Sequence, residues 1–237
     1  MARLPVIHRL TTTPSTQDAL HELAALGAEA GTAVAAQVQT MGRGSRGRGW
    51  ESPLGGLWLS VLLRPAVAPA LEVLSVRVAL AAARAIEEAY PAVHLGLKWP
   101  NDLMLAGKKL GGILCEARWQ AGKVAWVAAG IGVNVANAIP PGLEGQAVAL
   151  SRVASGAAPE SLVEPVARAI ALAGRLDGHL DDSELECFAA RDWLFGKRLT
   201  EPEPGVADGL AADGTLRLRG EDGHLRRLRS GTPRLAG

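Results

Sequence analysis

Residues 71–90 read LEVLSVRVALAAARAIEEAY. Leu71, Leu74, Val78, Ala81, Ala82, Ala85 and Ala89 recur at steps of three and four, the spacing of one helix face, and Pro91 follows the end of the run. This is the clearest helix in the chain, and shorter apolar runs gather around it. Residues 32–39 and 56–63 read as strands before it, and 93–98, 110–118 and 123–133 as strands after it. Ser15 or Thr16 caps a helix running to about Gly27, with Ala19, Leu20, Leu23, Ala24 and Leu26 on its buried side. A loop rich in proline and glycine covers 137–145, and helices are expected at 147–155, 160–178 and 183–195. Strands and helices interleave without a strict βαβ rhythm. The expectation is an α+β domain in which a mixed or mainly antiparallel β-sheet is flanked by helices.

Composition shifts after Lys197. Glu201-Pro202-Glu203-Pro204-Gly205 is rich in turn formers, and short strand-like runs follow at 206–211, 215–219 and 224–229. Asp213-Gly214 and Asp222-Gly223 separate them, and an Asp-Gly pair between such runs is a hairpin signal. The chain therefore divides into a large domain, 1–196, and a small β-barrel domain, 197–237. A unit this small buries little by itself and is expected to lean on the larger one.

The chain has 237 residues, 48% of them hydrophobic, with a net charge of +1. That is enough apolar material for a full core, and the near-neutral charge argues against general nucleic-acid binding. The longest apolar stretch, around Val78 to Ile86, contains Arg84 and is too short for a membrane span. Cys115 and Cys187 lie far apart and form no CxxC pair, which fits a reducing compartment; the reading is a cytoplasmic protein. The five histidines are scattered, without metal-ligand spacing, and there is no Gly-x-Ser-x-Gly elbow.

Chemistry concentrates elsewhere. Gly42-Arg43-Gly44-Ser45-Arg46-Gly47-Arg48-Gly49-Trp50 holds four glycines, three arginines and no acid. Glycine lets the backbone approach a ligand, and the guanidinium fork matches carboxylate and phosphate oxygens in pairs. Such a loop should wrap an anion, ordering as the anion arrives. The P-loop signature GxxxxGK[ST] is absent; the alternative reading is a basic loop that touches RNA. Trp50 offers a flat surface for stacking on a purine, or else belongs to the core.

Lys98-Trp99-Pro100-Asn101-Asp102 follows a strand, and Pro100 forces a turn there. Asp102 is placed to hold a magnesium ion bridging phosphate oxygens; capping the turn is the alternative. Lys109 precedes Gly111-Gly112 at the start of an apolar strand, where glycines suggest close approach by a ligand. Gly130-Ile131-Gly132-Val133-Asn134 ends another strand in the same way. Asn134 can read an adenine or ribose edge, or simply cap a turn.

Taken in order, Gln39 to Trp50, Lys98 to Asp102, Lys109 to Glu116 and Gly130 to Asn134 follow the patterns QTxGRGxxGRxW, KWPND, K[LI][AG]GILxE and GxGxN. With Ser15-Thr16 ahead of the first helix, this series resembles the biotin protein ligases over almost the whole chain. The resemblance implies a mixed sheet flanked by helices with a C-terminal SH3-like barrel. It implies an enzyme that activates biotin with ATP and Mg2+ to biotinyl-5′-AMP and transfers biotin to one lysine of a biotin carboxyl carrier protein, a subunit of acetyl-CoA carboxylase or a related carboxylase.

Carried onto this sequence, Lys109, Arg43 and Arg46 would supply the charges for catalysis. Ser15, Thr16 and Gln39 would bind the ureido ring of biotin, with Gly42, Arg43, Gly44, Ser45, Arg46, Lys109 and Gly112 along the rest of the molecule. Arg46, Arg48, Trp50, Asn101, Lys109 and Asn134 would hold the nucleotide, and Asp102 the metal. The family often has arginine at the position of Ser45 and asparagine at that of Gln17. Fourteen residues precede Ser15, too few for the winged helix-turn-helix of the repressor members, so the expected type is monofunctional, without DNA or membrane as a partner. A ligand-dependent homodimer is compatible with the resemblance. The rival functions are a lipoate or octanoate ligase of the same superfamily and a nucleic-acid-binding protein using the Arg/Gly loop.

Overall fold

The computed structural model describes residues 5–65 and 68–236; the outer limits of the two expected domains, 1 and 237, lie outside them. The larger part contains β1 (Ile7–Thr13), α1 (Thr16–Ala25), β2 (Ala33–Gln39), β3 (Leu57–Leu63), α2 (Ala68–Ala89), β4 (Gly96–Lys98), β5 (Asp102–Leu105), β6 (Lys108–Gln120), β7 (Lys123–Val133), α3 (Pro159–Ala173) and α4 (Asp182–Ala189). The C-terminal part contains β8 (Arg198–Glu201), β9 (Gly205–Leu210), β10 (Leu216–Arg219), β11 (Leu225–Leu228) and β12 (Arg234–Leu235).

All seven residues of β3 are buried, the mark of a strand covered on both faces. It lies inside a seven-stranded sheet of order β1-β2-β3-β7-β6-β5-β4. Only β1 and β2 run parallel; every other neighbouring pair is antiparallel. Side chains alternate between the faces. Leu57, Leu59 and Val61 of β3, with Val127, Ala129 and Ile131 of β7, join α2 and α3 in the main core. The other face carries Ser60 and Leu62, Ala128, Gly130 and Gly132, then Gly112, Leu114 and Glu116. There Leu20 and Ala24 of α1 cluster with Val34, Leu62, Trp126 and Ala128. Next to the start of α1 the floor turns to glycine.

α2 fits the sequence reading, with Leu74, Val78, Ala82 and Ala85 buried; it is covered more widely than one stripe because it packs on both the sheet and α3. Leu26, expected on the buried side of α1, is 86% exposed, since the helix ends at Ala25. The segment 147–155 is a strap with one 3-10 turn, Leu150–Arg152, in place of a helix. Its backbone is committed elsewhere: Val148 donates to the Lys109 carbonyl, Leu150 to that of Asn134 and Ser151 to that of Val135. α3 and α4 are shorter than the expected 160–178 and 183–195. Four strands went unread. β1 is an edge strand with mostly exposed side chains, while β5, β8 and β12 have four residues or fewer, too short for periodicity to register.

The C-terminal strands form one antiparallel sheet of order β11-β10-β9-β8-β12; among the described residues no pairing between β11 and β12 closes it into a barrel. It leans on the larger part as expected. Leu199, Ala207, Leu210, Leu216, Leu218 and Leu228 belong to the main core cluster. Trp99 Nε1 also donates to the Gly214 carbonyl at 2.9 Å, in the Asp213-Gly214 turn. None of the described helices is long and apolar enough to cross a membrane.

Candidate active site

Ser15 is 1% exposed, and its Oγ caps α1 by accepting from the Gln17 amide at 3.2 Å. Thr16 sends both its backbone N–H and its Oγ1 to Gln39 Oε1, at 2.8 and 3.0 Å, and its Oγ1 also meets Ser60 Oγ at 2.8 Å. Gln39 Nε2 then donates to Ser52 Oγ at 2.8 Å. The Ser15, Thr16 and Gln39 of the sequence reading thus form one polar cluster at the start of α1, extended by Ser52 and Ser60, which the motifs did not flag.

The Arg/Gly loop is tied into a compact turn. Trp50 N–H donates to the Gly42 carbonyl at 2.9 Å and Gly44 N–H to the Arg48 carbonyl at 2.8 Å. Gly42 has no room for a side chain, because a Cβ would run into the Trp50 carbonyl and Ser52 Oγ. Arg46 takes a left-handed conformation, φ 62, which directs its side chain out of the turn. Its Nη1 donates to Thr232 Oγ1, tying the loop to the C-terminal sheet.

The loop lies over the glycine floor. A Cβ on Gly132 would sit 2.7 Å from Trp50 Nε1, and one on Gly130 would sit 2.7 Å from Gln17 Nε2. The two glycines therefore make room for an indole and an amide flat against the strand. Lys109 Nζ stands 5.2 Å from the Trp50 ring centre and 2.5 Å from Asp102 Oδ1. Around the uncovered edge of β6 lies a cavity of about 210 Å³, lined by Ser45, Arg46, Arg48, Lys98, Asn101, Asp102 and Thr232 among others. Burial, with Lys109 adding to it, pulls the Lys98 ammonium below its ordinary pKa; Asp102 opposes this.

The structure therefore brings together the Arg/Gly loop, the Lys98–Asp102 turn, Lys109 and Gly112. The Asp102–Lys109–Trp50 series links the cationic cavity to the glycine floor. Asn134 is buried just beyond β7, where its Oδ1 accepts from Asn137 Nδ2 at 3.0 Å, while Asn137 Oδ1 accepts from the Val135 amide at 3.1 Å. Asn101 Nδ2 donates to the Ile113 carbonyl at 2.7 Å and so holds the turn against β6. Cys115 is only partly covered as a residue, yet burial of its thiol pushes its pKa up to about 12, with Ser75 as hydrogen-bond partner.

A set of charges behind the loop was missed. Arg43 forks onto Asp18, Nη1 to Oδ2 at 2.7 Å and Nη2 to Oδ1 at 2.8 Å, and Nη2 also reaches Glu116 Oε2 at 3.1 Å. His21 Nε2 lies 3.3 Å from the same Glu116 oxygen, and its Nδ1 accepts from Trp126 Nε1 at 2.9 Å. An indole N–H can only donate, so the neutral ring carries its proton on Nε2 and donates it to Glu116. Asp18, an acid in the first turn of α1, reads there as ordinary complementarity to the helix dipole, and Glu116 stood only as the last residue of the Lys109–Glu116 motif, with no role of its own.

Burial, reinforced by the charge of Arg118, lowers the His21 pKa against the opposing pull of Glu116 and Asp18. As pH falls through about 6.5, the unfolded chain therefore takes up a proton that the folded chain refuses. This contribution to stability is complete above that range and lost below it. Denaturant titrations at pH 7.5 and pH 5 should show a loss on acidification that is smaller in His21→Gln; equal losses would remove His21 from the account.

Fold and site together define a mixed-sheet domain whose glycine floor is covered by Trp50 and Gln17, beside a cavity edged by arginine and lysine side chains. A family model described as the biotin/lipoate A/B protein ligase family matches residues 9–134, and the chain belongs to this family. It is 42% identical to the bifunctional ligase/repressor BirA of Bacillus subtilis over 59% of this chain and 44% of that protein. It is 34% identical to the biotin--[acetyl-CoA-carboxylase] ligase of Paracoccus denitrificans over 80% of this chain and 85% of that one. Among solved structures, the biotin protein ligase from Aquifex aeolicus in complex with biotin and ATP is similar with a TM-score of 0.83 and 26% identity, covering 98% of this chain and 99% of that chain. The match to the Bacillus protein spans less than half of that protein's length.

Proposed function

We propose that this protein is an ATP-dependent biotin protein ligase. The observation that carries the reading is the adjacency of four parts: a polar cluster at the start of α1, a glycine floor beneath Trp50, the Lys109–Asp102 pair, and a cavity edged by Arg46, Arg48 and Lys98. In this reading the ring of the acid binds at Thr16 and Gln39 and its carboxylate at Lys109.

In the first step a biotin carboxylate oxygen bonds to the α-phosphorus of ATP, the bond to the β-phosphate oxygen breaks, and pyrophosphate leaves. In the second the lysine amine of a biotin carboxyl carrier protein attacks the acyl carbon; an amide forms, a proton is released and AMP departs. Both steps crowd anionic oxygens together, so catalysis is chiefly positioning and charge neutralisation, and no covalent protein nucleophile is required. Lys109 and Arg46 face that charge. Magnesium fits one carboxylate together with substrate phosphates and water, and Asp102 beside Asn101 offers that donor; bound there, the ion would neutralise phosphate charge.

Biotin-dependent exchange of labelled pyrophosphate into ATP tests the reading. Exchange with biotin and none with lipoate is expected. Exchange with lipoate alone would move the assignment to the lipoate ligases, and none with either acid would overturn it. Ser45 leaves the loop one positive charge short of the common family pattern. Ser45→Arg is therefore expected to slow release of the adenylate, by about tenfold for one charge-assisted hydrogen bond. An unchanged off-rate in a filter-binding chase would sink that expectation.

A further inference from the structure

Arg43 stands in the Arg/Gly loop, yet its guanidinium is engaged by the protein's own acids. All three of its distances to acceptors, 2.7, 2.8 and 3.1 Å, are to carboxylates, two on Asp18 and one on Glu116. The cation is thus already matched by two acids, one from the first turn of α1 and one from β6. Glu116 is itself held by His21, whose orientation Trp126 fixes from β7. These contacts converge on the residue between Gly42, which abuts the Trp50 carbonyl, and Gly44, whose amide closes the turn.

We infer that Arg43 is a strut rather than a charge donor, and that Asp18, Glu116 and His21 are positioning residues that hold the 42–50 loop over the glycine floor through it. The loop has few other ties. Arg48 bonds only within the turn, to Ser45, and Arg46 reaches the C-terminal sheet at a single hydroxyl. A two-point fork between planar groups fixes orientation as well as distance, which a lysine cannot do. Arg43 and Asp18 are 34% and 47% exposed, so the pair contributes little to global stability. Its effect falls on the local equilibrium of the loop.

The two roles predict opposite outcomes when the acids are neutralised. Asp18→Asn with Glu116→Gln frees the Arg43 charge. A charge donor so released would bind anions as well or better, whereas a strut so released lets the loop open. Two readouts are used. The first is limited trypsin cleavage after Arg46 and Arg48 in the protein without substrates, which follows the population of the open loop. The second is biotin-dependent pyrophosphate exchange, which rests on the ligase reading.

The double variant is expected to be cut about tenfold faster at the loop, the weight of one hydrogen bond to a charged group, with the rest of the chain as resistant as before. Its exchange rate should fall and its KM for biotin rise by a similar factor. Arg43→Lys, which keeps the charge and loses the fork, should behave like the double variant, and Asp18→Glu should restore part of the protection. Unchanged cleavage in the double variant, exchange that is maintained or raised, or wild-type behaviour in Arg43→Lys would each overturn the inference. Absence of exchange in the wild type would count against the ligase reading, and cleavage would then decide the strut by itself.

Discussion

Replacing Lys109 with alanine lowers biotin-dependent pyrophosphate exchange by about 10²–10³-fold, the cost of deleting one preorganised donor to developing negative charge. The position explains the size. The ammonium lies 2.5 Å from Asp102 Oδ1 and 5.2 Å from the centre of the Trp50 ring. It therefore stands between Trp50 and the cavity edged by Arg46 and Lys98. Removing it also leaves Asp102 as an uncompensated anion next to the phosphates. Lys109→Ala with Asp102→Asn should therefore lose less than the two single effects added together. A single-variant loss below about threefold would take Lys109 out of the chemistry; additive losses would separate it from Asp102.

The largest expected loss of stability lies outside the site. Arg77, on α2, is 3% exposed, and all its donors are used. It pairs with Glu184 through Nε at 2.6 Å and Nη2 at 2.9 Å, and it donates to the carbonyls of Leu176, Gly178 and His179. Glu184 in turn completes the capping box at the start of α4. Arg77→Met keeps the apolar stem but takes the cation from a half-buried carboxylate and strands three carbonyls. Unfolding by urea should show a loss of about 3–5 kcal/mol, the usual cost of breaking a buried pair from one side. Arg77→Met with Glu184→Leu should recover part of it. A loss under about 1 kcal/mol would mean that water replaces the guanidinium.

Neither Arg77 nor the Arg43 contacts were legible in the chain, for a common reason. Each joins residues more than 70 positions apart, apart from the Arg43–Asp18 pair at 25, and none has a spacing rule. What was legible is what local physics encodes. The α2 periodicity, the fully buried run of β3 and the Asp-Gly turns of the C-terminal sheet each state their conformation within a few residues. The four motifs were legible because glycine, arginine and proline clusters are costly unless a ligand or a tight turn requires them. Their meeting along the glycine floor needed the register of β6 against β7, which pairs Gly112 with Gly132 and Leu114 with Gly130. The strap at 147–155 misled for the opposite reason: its small apolar residues suit a helix, but its amides are taken by the ends of β6 and β7.

The bond from Arg46 to Thr232 spans 186 positions of the chain. A contact that distant in sequence cannot form until nearly the whole polypeptide is available, and closing so long a loop is entropically slow. During synthesis the floor, the polar cluster and Lys109 all leave the ribosome well before the cavity can acquire its last wall. The nascent chain thus passes through a stage at which the glycine floor and the polar cluster exist while the cavity beside them is still open. Closure of that cavity wall thus waits on the segment around Thr232, well after the floor has emerged.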